Sequence, residues 1–419
     1  MRVNERGAIT IHVALALIAI LAFAAMVIDQ GVMYVARRQA QTAADAGALA
    51  GAISLMYDST AKVEATIAAQ TMANQNAVWG ENTANANIIV SPLPFNCPDG
   101  VPSCIRVDVL RGQPDRDGTA HSNTIPTYMM RMLGTNSQGV RATATAQIAA
   151  GNAVQCIKPW VVADKWTDGS GTGTNPSGWD QLDSYQVGTD SYSTAGGFSA
   201  ATDIGAQLML KGDGHDFSSG WTLEIDLNGG NGGSVYNAEI SGCPNWVPTI
   251  GLYQPGTSCN STSDTNPEEG CVNVKTGVKQ GPTVQGVADL IAYDPGATWN
   301  SGTNTVTGGC TSAGTCSTAN PLGIPISPRI VPIALFDPGA YAAGGFTGNG
   351  GMARIINLLG FFVEGMCSDV YPTPPAWCGT GSDPSKTVVG RLMAYPGQAD
   401  SASGSAGPNT FLKVTRLIR

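Results

Sequence analysis

The stretch that decides the fold is residues 7–57, GAITIHVALALIAILAFAAMVIDQGVMYVARRQAQTAADAGALAGAISLMY. Its first part, residues 8–28, is apolar except for Thr10 and His12. A helix rises about 1.5 Å per residue, so this part covers the roughly 30 Å of a bilayer's hydrocarbon. Asp29 ends the apolar run, but no proline ends the helix. We therefore expect one membrane-spanning helix that continues through the Ala-rich stretch to residue 57.

The same run also fits a cleaved secretory signal. Arg2 and Arg6 would form the basic region, Val13–Leu21 the apolar core and Ala22–Ala24 the cleavage site. However, apolar residues continue past that site to Ile28, which a signal peptide does not need. We favour a retained anchor, with the signal peptide as the alternative.

Small residues recur in the second part of the helix at alternating intervals of four and three. This spacing places them on one face, where they allow another helix to approach closely. An equally good explanation is composition, because alanine is the best helix former. The predicted packing residues are Ala36, Ala40, Ala43, Gly47 and Ala50.

The helix also carries ordered motifs. They are Arg6-Gly7 before the apolar run, Asp29-x-Gly31 and Tyr34-x-x-Arg37-Arg38 after it, and then Gln41-Thr-Ala-Ala-Asp45-Ala-Gly-Ala-Leu-Ala50. This segment resembles the N-terminal segment of the Flp (Tad) pilus-assembly TadE/TadG-like family; residues 125–134 and 140–146 resemble that family more loosely. The resemblance implies a single-pass envelope protein of the TadG kind, which works with other subunits of the tight-adherence pilus and secretion system.

The resemblance also bears on processing of the N-terminus. Processed pilins carry a glutamate five residues after the glycine that precedes the cleavage site. His12 occupies that place after Gly7. We therefore favour an uncleaved anchor, while a processed pilus subunit stays as the alternative.

The composition favours a folded, exported protein. Hydrophobic residues make up 42% of the 419 residues and the net charge is only −9, which argues against disorder. Only 13% of the residues are charged, whereas glycine numbers 53 and proline 25. This composition is typical of β-rich exported proteins with long turns. The acidic balance, without a basic patch, argues against nucleic-acid binding.

All ten cysteines lie beyond residue 95, and no C-x-x-C motif occurs. Zinc-ribbon and thioredoxin-like readings therefore have no support. Cysteines close in sequence within Gly/Pro-rich loops predict disulfides and an oxidising compartment, although sequence alone does not fix the connectivity and free buried thiols are the alternative. The expected pairs are Cys97–Cys104, Cys259–Cys271, Cys310–Cys316 and Cys367–Cys378, which leaves Cys156 with Cys243.

The cysteines also predict the orientation. Basic residues are nearly equal in number on the two sides of the apolar run, so the positive-inside rule does not decide the orientation of the helix. Disulfides require the C-terminal part to lie outside the cytoplasm. We expect a bacterial inner-membrane protein with a cytoplasmic N-terminus and a large C-terminal region that is periplasmic or surface-exposed.

The rest of the chain predicts an α+β fold. Residues 59–78 predict a second helix, and residues 125–133 a short one. Period-two alternation predicts strands at 105–109 and 140–148. The expected regions are a transmembrane and stem helix (1–57), a small pilin-like α+β region (58–151) and a β-rich, disulfide-stapled extracytoplasmic domain (152–419).

Four elements are expected in the third region. Residues 221–227 alternate as a half-buried strand, and residues 286–293 predict a helix. Residues 330–336 suit a buried strand, although Pro332 favours an edge or a bulge. Residues 353–363 fit a helix or a strand equally well, because periodicity does not separate the two.

The search for catalytic and metal motifs predicts neither an enzyme nor a cofactor. No Walker loop, G-x-S-x-G elbow or H-E-x-x-H motif occurs. Asp226, Asn228 and Asn231 partly copy the spacing of a calcium loop. The bidentate glutamate of such loops is missing, so a turn between strands is the simpler interpretation.

Two functions remain. The first is a membrane-anchored structural or assembly component of a Tad (Flp) type IV-like pilus, whose helix packs with other subunits. The alternative is a minor pilin or surface adhesin that binds a glycan or a partner protein, because exposed tryptophans often form contact platforms. Core positions are the simpler explanation of most tryptophans, which include Trp160, Trp166, Trp179, Trp221, Trp246 and Trp299.

Overall fold

The computed structural model has two compact units. The first comprises residues 6–55, the described part of 62–149 and residues 415–418; the second comprises residues 56–57 and the described part of 150–414. Both contain helices and strands, which confirms the α+β class. The described residues are 6–57, 62–84, 87–91, 104–114, 118–121, 123–169, 185–210, 222–225, 227, 232–244, 259, 271–274, 279–309, 327–344, 351–375, 378, 384–397 and 410–418.

The first unit begins with one unbroken helix, as the sequence predicted. The second helix is shorter than expected. The prediction of a helix at residues 125–133 is wrong for most of that stretch. Pro126 lacks an N–H and holds the residue before it in an extended conformation, so only residues 130–133 form a 3₁₀ turn. The elements are α1 (Arg6–Tyr57), α2 (Lys62–Gln75), β1 (Ile88–Ser91), β2 (Cys104–Arg111), β3 (Ile125–Pro126), β4 (Ser137–Gln138) and β5 (Val140–Ala150).

Strands β1, β2 and β5 form an antiparallel sheet in that order. Ile105 lies opposite Ala146, and Val109 lies opposite Ala142. Because side chains alternate along a strand, the apolar residues of β2 and β5 share one face, which packs against α1 and α2. The period-two strand predictions are therefore confirmed.

The second unit contains most of the remaining strands and all four remaining helices of the described chain. Its elements are β6 (Trp160–Ala163), β7 (Gln207–Leu210), β8 (Thr222–Glu224), α3 (Gly233–Ser241), β9 (Cys271–Val274), α4 (Gln280–Ala292), β10 (Thr298–Asn300), β11 (Thr305–Thr307), β12 (Ile330–Phe336), α5 (Pro338–Ala343), β13 (Gly351–Met366), α6 (Cys367–Val370), β14 (Val388–Met393) and β15 (Tyr395–Pro396). The last strand, β16 (Leu412–Ile418), begins in the second unit and ends in the first.

The central sheet of the second unit has the order β7-β14-β13-β12-β6-β8, with β9 also paired to β13. Core side chains cover both of its faces, and α3 and α4 contribute to one of the two cores. A strand that is covered on both faces has apolar residues at successive positions, which explains the continuous apolar sequence of β12. The ambiguous stretch 353–363 is a strand, within β13.

The expectation that Pro332 marks an edge or a bulge at its position is wrong, because β12 lies between β13 and β6. Pairing of β12 with β6 begins only at Ala334, so no partner on that side requires an N–H from Pro332. The Pro332 carbonyl still accepts a hydrogen bond from the backbone N–H of Lys158 at 3.0 Å. A proline is thus tolerated inside the sheet beyond the end of a short neighbouring strand.

Candidate functional site

The first half of α1 is bare. Residues 9–28, which we call the bare half, expose most of their large apolar side chains, including Leu21 and Phe23 at 66% and 72%. By length and composition this part of the helix is able to cross a membrane. Such a continuous apolar surface has a lower free energy in lipid or against another protein than in water.

The second half of α1 is packed. Ala36, Ala40, Ala43 and Gly47 are buried as predicted, whereas Ala50 is only half-buried. A repeat of 4 and 3 averages 3.5 residues, and an α-helix has 3.6 per turn, so the stripe drifts by about 20° per heptad. Two heptads after Ala36 the buried face has moved, and its residues there are Ala48, Gly51, Ala52 and Leu55.

The chain itself covers this small-residue face. A Cβ added at Gly47 would lie 2.9 Å from the carbonyl oxygen of Ala69 in α2, and one added at Gly51 would lie 2.5 Å from Cδ1 of Ile105 in β2. Glycine and alanine thus let α2 and the sheet approach the backbone of α1. The small-residue face is therefore covered by α2 and the sheet of the same chain.

Asp29 joins the two halves of α1 to a distant loop. Its carboxylate is 2% exposed and accepts hydrogen bonds from the backbone N–H groups of Tyr128, Met129 and Met130, at 2.9, 3.1 and 2.6 Å. These groups precede and begin the 3₁₀ turn of residues 130–133, where unpaired N–H groups favour an anion. The sequence showed Asp29 only as the end of the apolar run.

A second connection lies further along α1. The backbone N–H of Trp79 donates to Oε1 of Gln39 at 2.8 Å. Arg111, at the end of β2, donates to the carbonyl of Val78 and to the carboxylate of Glu81, the latter at 3.0 Å. The turn after α2 is therefore fixed to both the helix and the sheet.

A cleft of about 400 Å³ lies beside α1 just beyond the bare half. Arg37 and Arg141 both line it, and Arg37 is exposed without an ion pair among the described residues. Arg141 lies 3.4 Å from Asp108, but that carboxylate also pairs with Arg106 at 2.9 Å. The cleft therefore carries a net positive charge next to the bare half of α1.

Three disulfides lie within the described part of the second unit; two are pairs that the cysteine spacing suggested, and the third is the pair that this assignment left over. They join Cys156 to Cys243, Cys259 to Cys271 and Cys367 to Cys378. In the first unit Cys104 is also disulfide-bonded, and its expected partner Cys97 lies outside the described residues. The expected pair Cys310–Cys316 lies outside them as well.

Two buried ionisable groups of the second unit, Asp164 and Lys158, hold neighbouring segments through hydrogen bonds. Burial raises the pKa of Asp164 to about 7, although the N–H of Phe198 at 2.7 Å and the hydroxyl of Tyr192 at 2.9 Å donate to its carboxylate. Burial lowers the pKa of Lys158 to about 7, and its Nζ donates to the carbonyl of Gly242. Asp164 fixes residues 192–198, and Lys158 contacts the segment beside Cys243.

The metal-site prediction falls on residues that the structure does not describe. Asp226, Asn228 and Asn231 all lie outside the described ranges. Within those ranges, no group of three or more His, Cys, Asp or Glu side chains is placed to hold a metal ion.

The described tryptophans are mostly core residues. Trp160 and Trp166 are 2% and 3% exposed, and Trp160 donates from Nε1 to the hydroxyl of Tyr236 at 2.9 Å. Trp299 stacks on Phe362 with 6.2 Å between the ring centroids. The remaining tryptophans singled out above, Trp179, Trp221 and Trp246, lie outside the described residues.

Helix α1 is continuous: its first half is exposed, apolar and long enough to cross a membrane, and its second half packs on a small antiparallel sheet. Residues 7–54 match the family of putative Flp pilus-assembly proteins of the TadE/G-like type, consistent with a TadG-like member. The resemblance stated from the motifs is thereby confirmed. No curated protein and no solved structure matches the chain.

Proposed function

We propose that this protein is a membrane-anchored structural or assembly component of a Tad (Flp) type IV-like pilus, with an extracytoplasmic head cross-linked by disulfides. One observation carries the proposal: the helix that matches the pilus-assembly family is both the apolar span and the core of the first unit. Because α1 is unbroken from residue 6 to residue 57, one helix connects the apolar span directly to the folded unit.

The surface that meets other subunits is the bare half. The small-residue face is occupied by α2 and the sheet, so it is not available to partners. Residues 9–28 instead present apolar side chains on all sides, which suits both lipid and the spans of neighbouring subunits. We place the partners, other Tad pilus or assembly subunits, at this part of the helix.

The disulfides support the orientation that we propose. Three cross-links in the second unit require folding in an oxidising compartment. The head therefore lies in the periplasm or at the cell surface, and the N-terminus lies in the cytoplasm. The proposal includes neither a catalytic step nor a cofactor.

A minor pilin is the second candidate, and the bare half favours it as well. In a filament, this apolar helix would be buried against neighbouring subunits and removed from water. A glycan-binding adhesin has less support, because Trp160 and Trp166 are core residues and not an exposed platform.

The test must spare the core of the first unit, so α1 should not be deleted. Leu17 and Ile18 are 54% and 64% exposed in the middle of the bare half. The double variant Leu17→Arg/Ile18→Arg places two charges in the hydrocarbon, at a cost of about 2.5–3.5 kcal/mol each on insertion scales. Val63→Arg, on an exposed apolar position of α2, is the matched control.

We expect the double variant to leave the membrane fraction and to abolish pili and surface adhesion, while the control keeps all three. Normal piliation and adhesion in the double variant would refute the proposal. Mass spectrometry of the mature N-terminus separates the candidates. A start at Met1 in membranes supports the anchor, a start at Ala8 in sheared pili supports a minor pilin, and a start at Ala25 supports plain secretion.

A further inference from the structure

The loop fastened by Asp29 exposes an unusual amount of apolar surface. Tyr128, Met129 and Met132 are 55%, 41% and 87% exposed. All three lie within five residues of one another, on and beside the 3₁₀ turn of residues 130–133. We call residues 128–133 the interfacial loop. Clustered exposed apolar side chains mark contact surfaces, whereas single ones are common.

The hydrogen bonds to Asp29 fix the level of this loop along α1. Asp29 directly follows Ile28, the last residue of the apolar run. Its carboxylate contacts the backbone of the loop at three successive residues, between 2.6 and 3.1 Å. The loop therefore lies where the helix leaves the hydrocarbon of a bilayer.

The side chains of the loop have the chemistry of the membrane interface. Tyrosine is enriched at the headgroup level, and exposed methionines add apolar surface without polar groups. Arg131 is exposed and makes no ion pair with the described residues, so its guanidinium is available to anionic headgroups. On the neighbouring turns of α1, Tyr34 is 66% exposed and adds a second interfacial aromatic ring.

We propose that the interfacial loop is a second membrane contact, which inserts Met129 and Met132 at the boundary between headgroups and acyl chains. The inference rests on the proposed function, because it requires α1 to cross the bilayer. With the loop seated, the first unit is attached to the membrane at two places and not only through the helix. Asp29 is the residue that transmits this second attachment to α1.

The test measures the depth of the loop in the full-length chain. All described cysteines are disulfide-bonded, so a cysteine introduced as Met132→Cys is the labelling target for an environment-sensitive fluorophore. The labelled protein is placed in vesicles of phosphatidylethanolamine and phosphatidylglycerol that contain lipids with a quencher near the headgroup. Val63→Cys is the control. Val63 is 67% exposed on α2, which packs near Gly51, about 33 Å along the helix from Asp29.

We expect a blue-shifted emission and a loss of fluorescence by quenching at position 132, and neither at position 63. Adding Asp29→Asn to the Met132→Cys protein should reduce both signals, because the loop is then less firmly held. Equal, water-like emission at both positions would overturn the inference.

Two further outcomes separate the causes of failure. If the protein floats with the vesicles but position 132 stays in water, the loop inference is wrong and the anchor stands. If position 132 becomes shielded only when other pilus subunits are added, the patch meets protein and not lipid, which also overturns the inference. If the protein does not float with vesicles at all, the proposed anchor fails together with the inference.

Discussion

The carboxylate of Asp29 accepts a hydrogen bond from the backbone N–H of Met130 at 2.6 Å, across 101 residues of chain. Two further N–H groups, of Tyr128 and Met129, donate to the same carboxylate. Asp29, the first polar residue after the apolar run, is thus buried and holds the loop of residues 128–130 against α1.

Asp29→Asn should loosen this loop. Asparagine keeps one acceptor oxygen but loses the negative charge, and hydrogen bonds to charged groups are roughly twice as strong as neutral ones. We expect amide exchange at residues 128–130 to accelerate by about tenfold, the factor that corresponds to one such bond. Asp45→Asn is the control, because the carboxylate of Asp45 accepts a local bond from Gln41. Unchanged exchange at the loop would contradict the role of Asp29.

Alanine should have opposite effects at two glycines of α1. At Gly47 a Cβ meets the Ala69 carbonyl oxygen at 2.9 Å, and a backbone atom does not yield easily, so we expect a loss of about 1–3 kcal/mol in the free energy of unfolding. At Gly31 nothing lies within 4 Å, so Gly31→Ala should gain up to about 1 kcal/mol from helix propensity. Denaturation of the full chain in mild detergent measures both; equal effects would argue against close packing at Gly47.

The disulfides should differ in their contribution to stability. Cys156 and Cys243 are 87 residues apart, whereas Cys259 and Cys271 are 12 apart. The chain-entropy description assigns about 4–5 kcal/mol to the longer loop and about 3 kcal/mol to the shorter one. We therefore expect Cys156→Ser/Cys243→Ser to lower the denaturation midpoint of the second unit more than Cys259→Ser/Cys271→Ser. The reverse order would show that loop length does not determine how much these disulfides contribute to stability.

The second unit should lose stability as the pH rises from about 4 to about 7. Burial raises the pKa of Asp164 from 3.8 to about 7, so in this window the folded state holds a proton that the unfolded state has released. Stability that depends on the bound proton is complete below the unfolded pKa and is lost as the pH passes the folded one. In Asp164→Asn this part of the pH dependence should disappear, whereas Asp369→Asn, at an exposed carboxylate, should keep it. Superimposable unfolding profiles for all three proteins would exclude Asp164 as its source.

Local patterns predicted the parts of the fold that depend on local physics. Helix α1 follows from a 21-residue run that is apolar except for Thr10 and His12 and from an Ala-rich continuation without proline, and β2 and β5 follow from strict alternation. Cysteine spacing suggested Cys259–Cys271 and Cys367–Cys378, since short loops close easily, and Cys156–Cys243 was then the pair left over.

Long-range partners were not predictable from the same patterns. A stripe of alanine and glycine permits close approach but does not specify whether α2 or another subunit approaches. The bond between Asp29 and Met130 joins residues that share no local signal. The prediction of an edge or a bulge at Pro332 failed because β6 pairs with β12 only from Ala334 onward. Where a neighbouring strand ends depends on tertiary structure, which the local sequence does not show.

The sheet of the first unit has a consequence for biogenesis. Its outer position beside β5 is filled by β16, and Arg416 donates to the side chain of Gln147 at 2.8 and 3.1 Å. Synthesis from the N-terminus completes residues 415–418 only after the whole second unit has been made. The first unit must therefore wait with an open strand edge, a state that is vulnerable to mispairing.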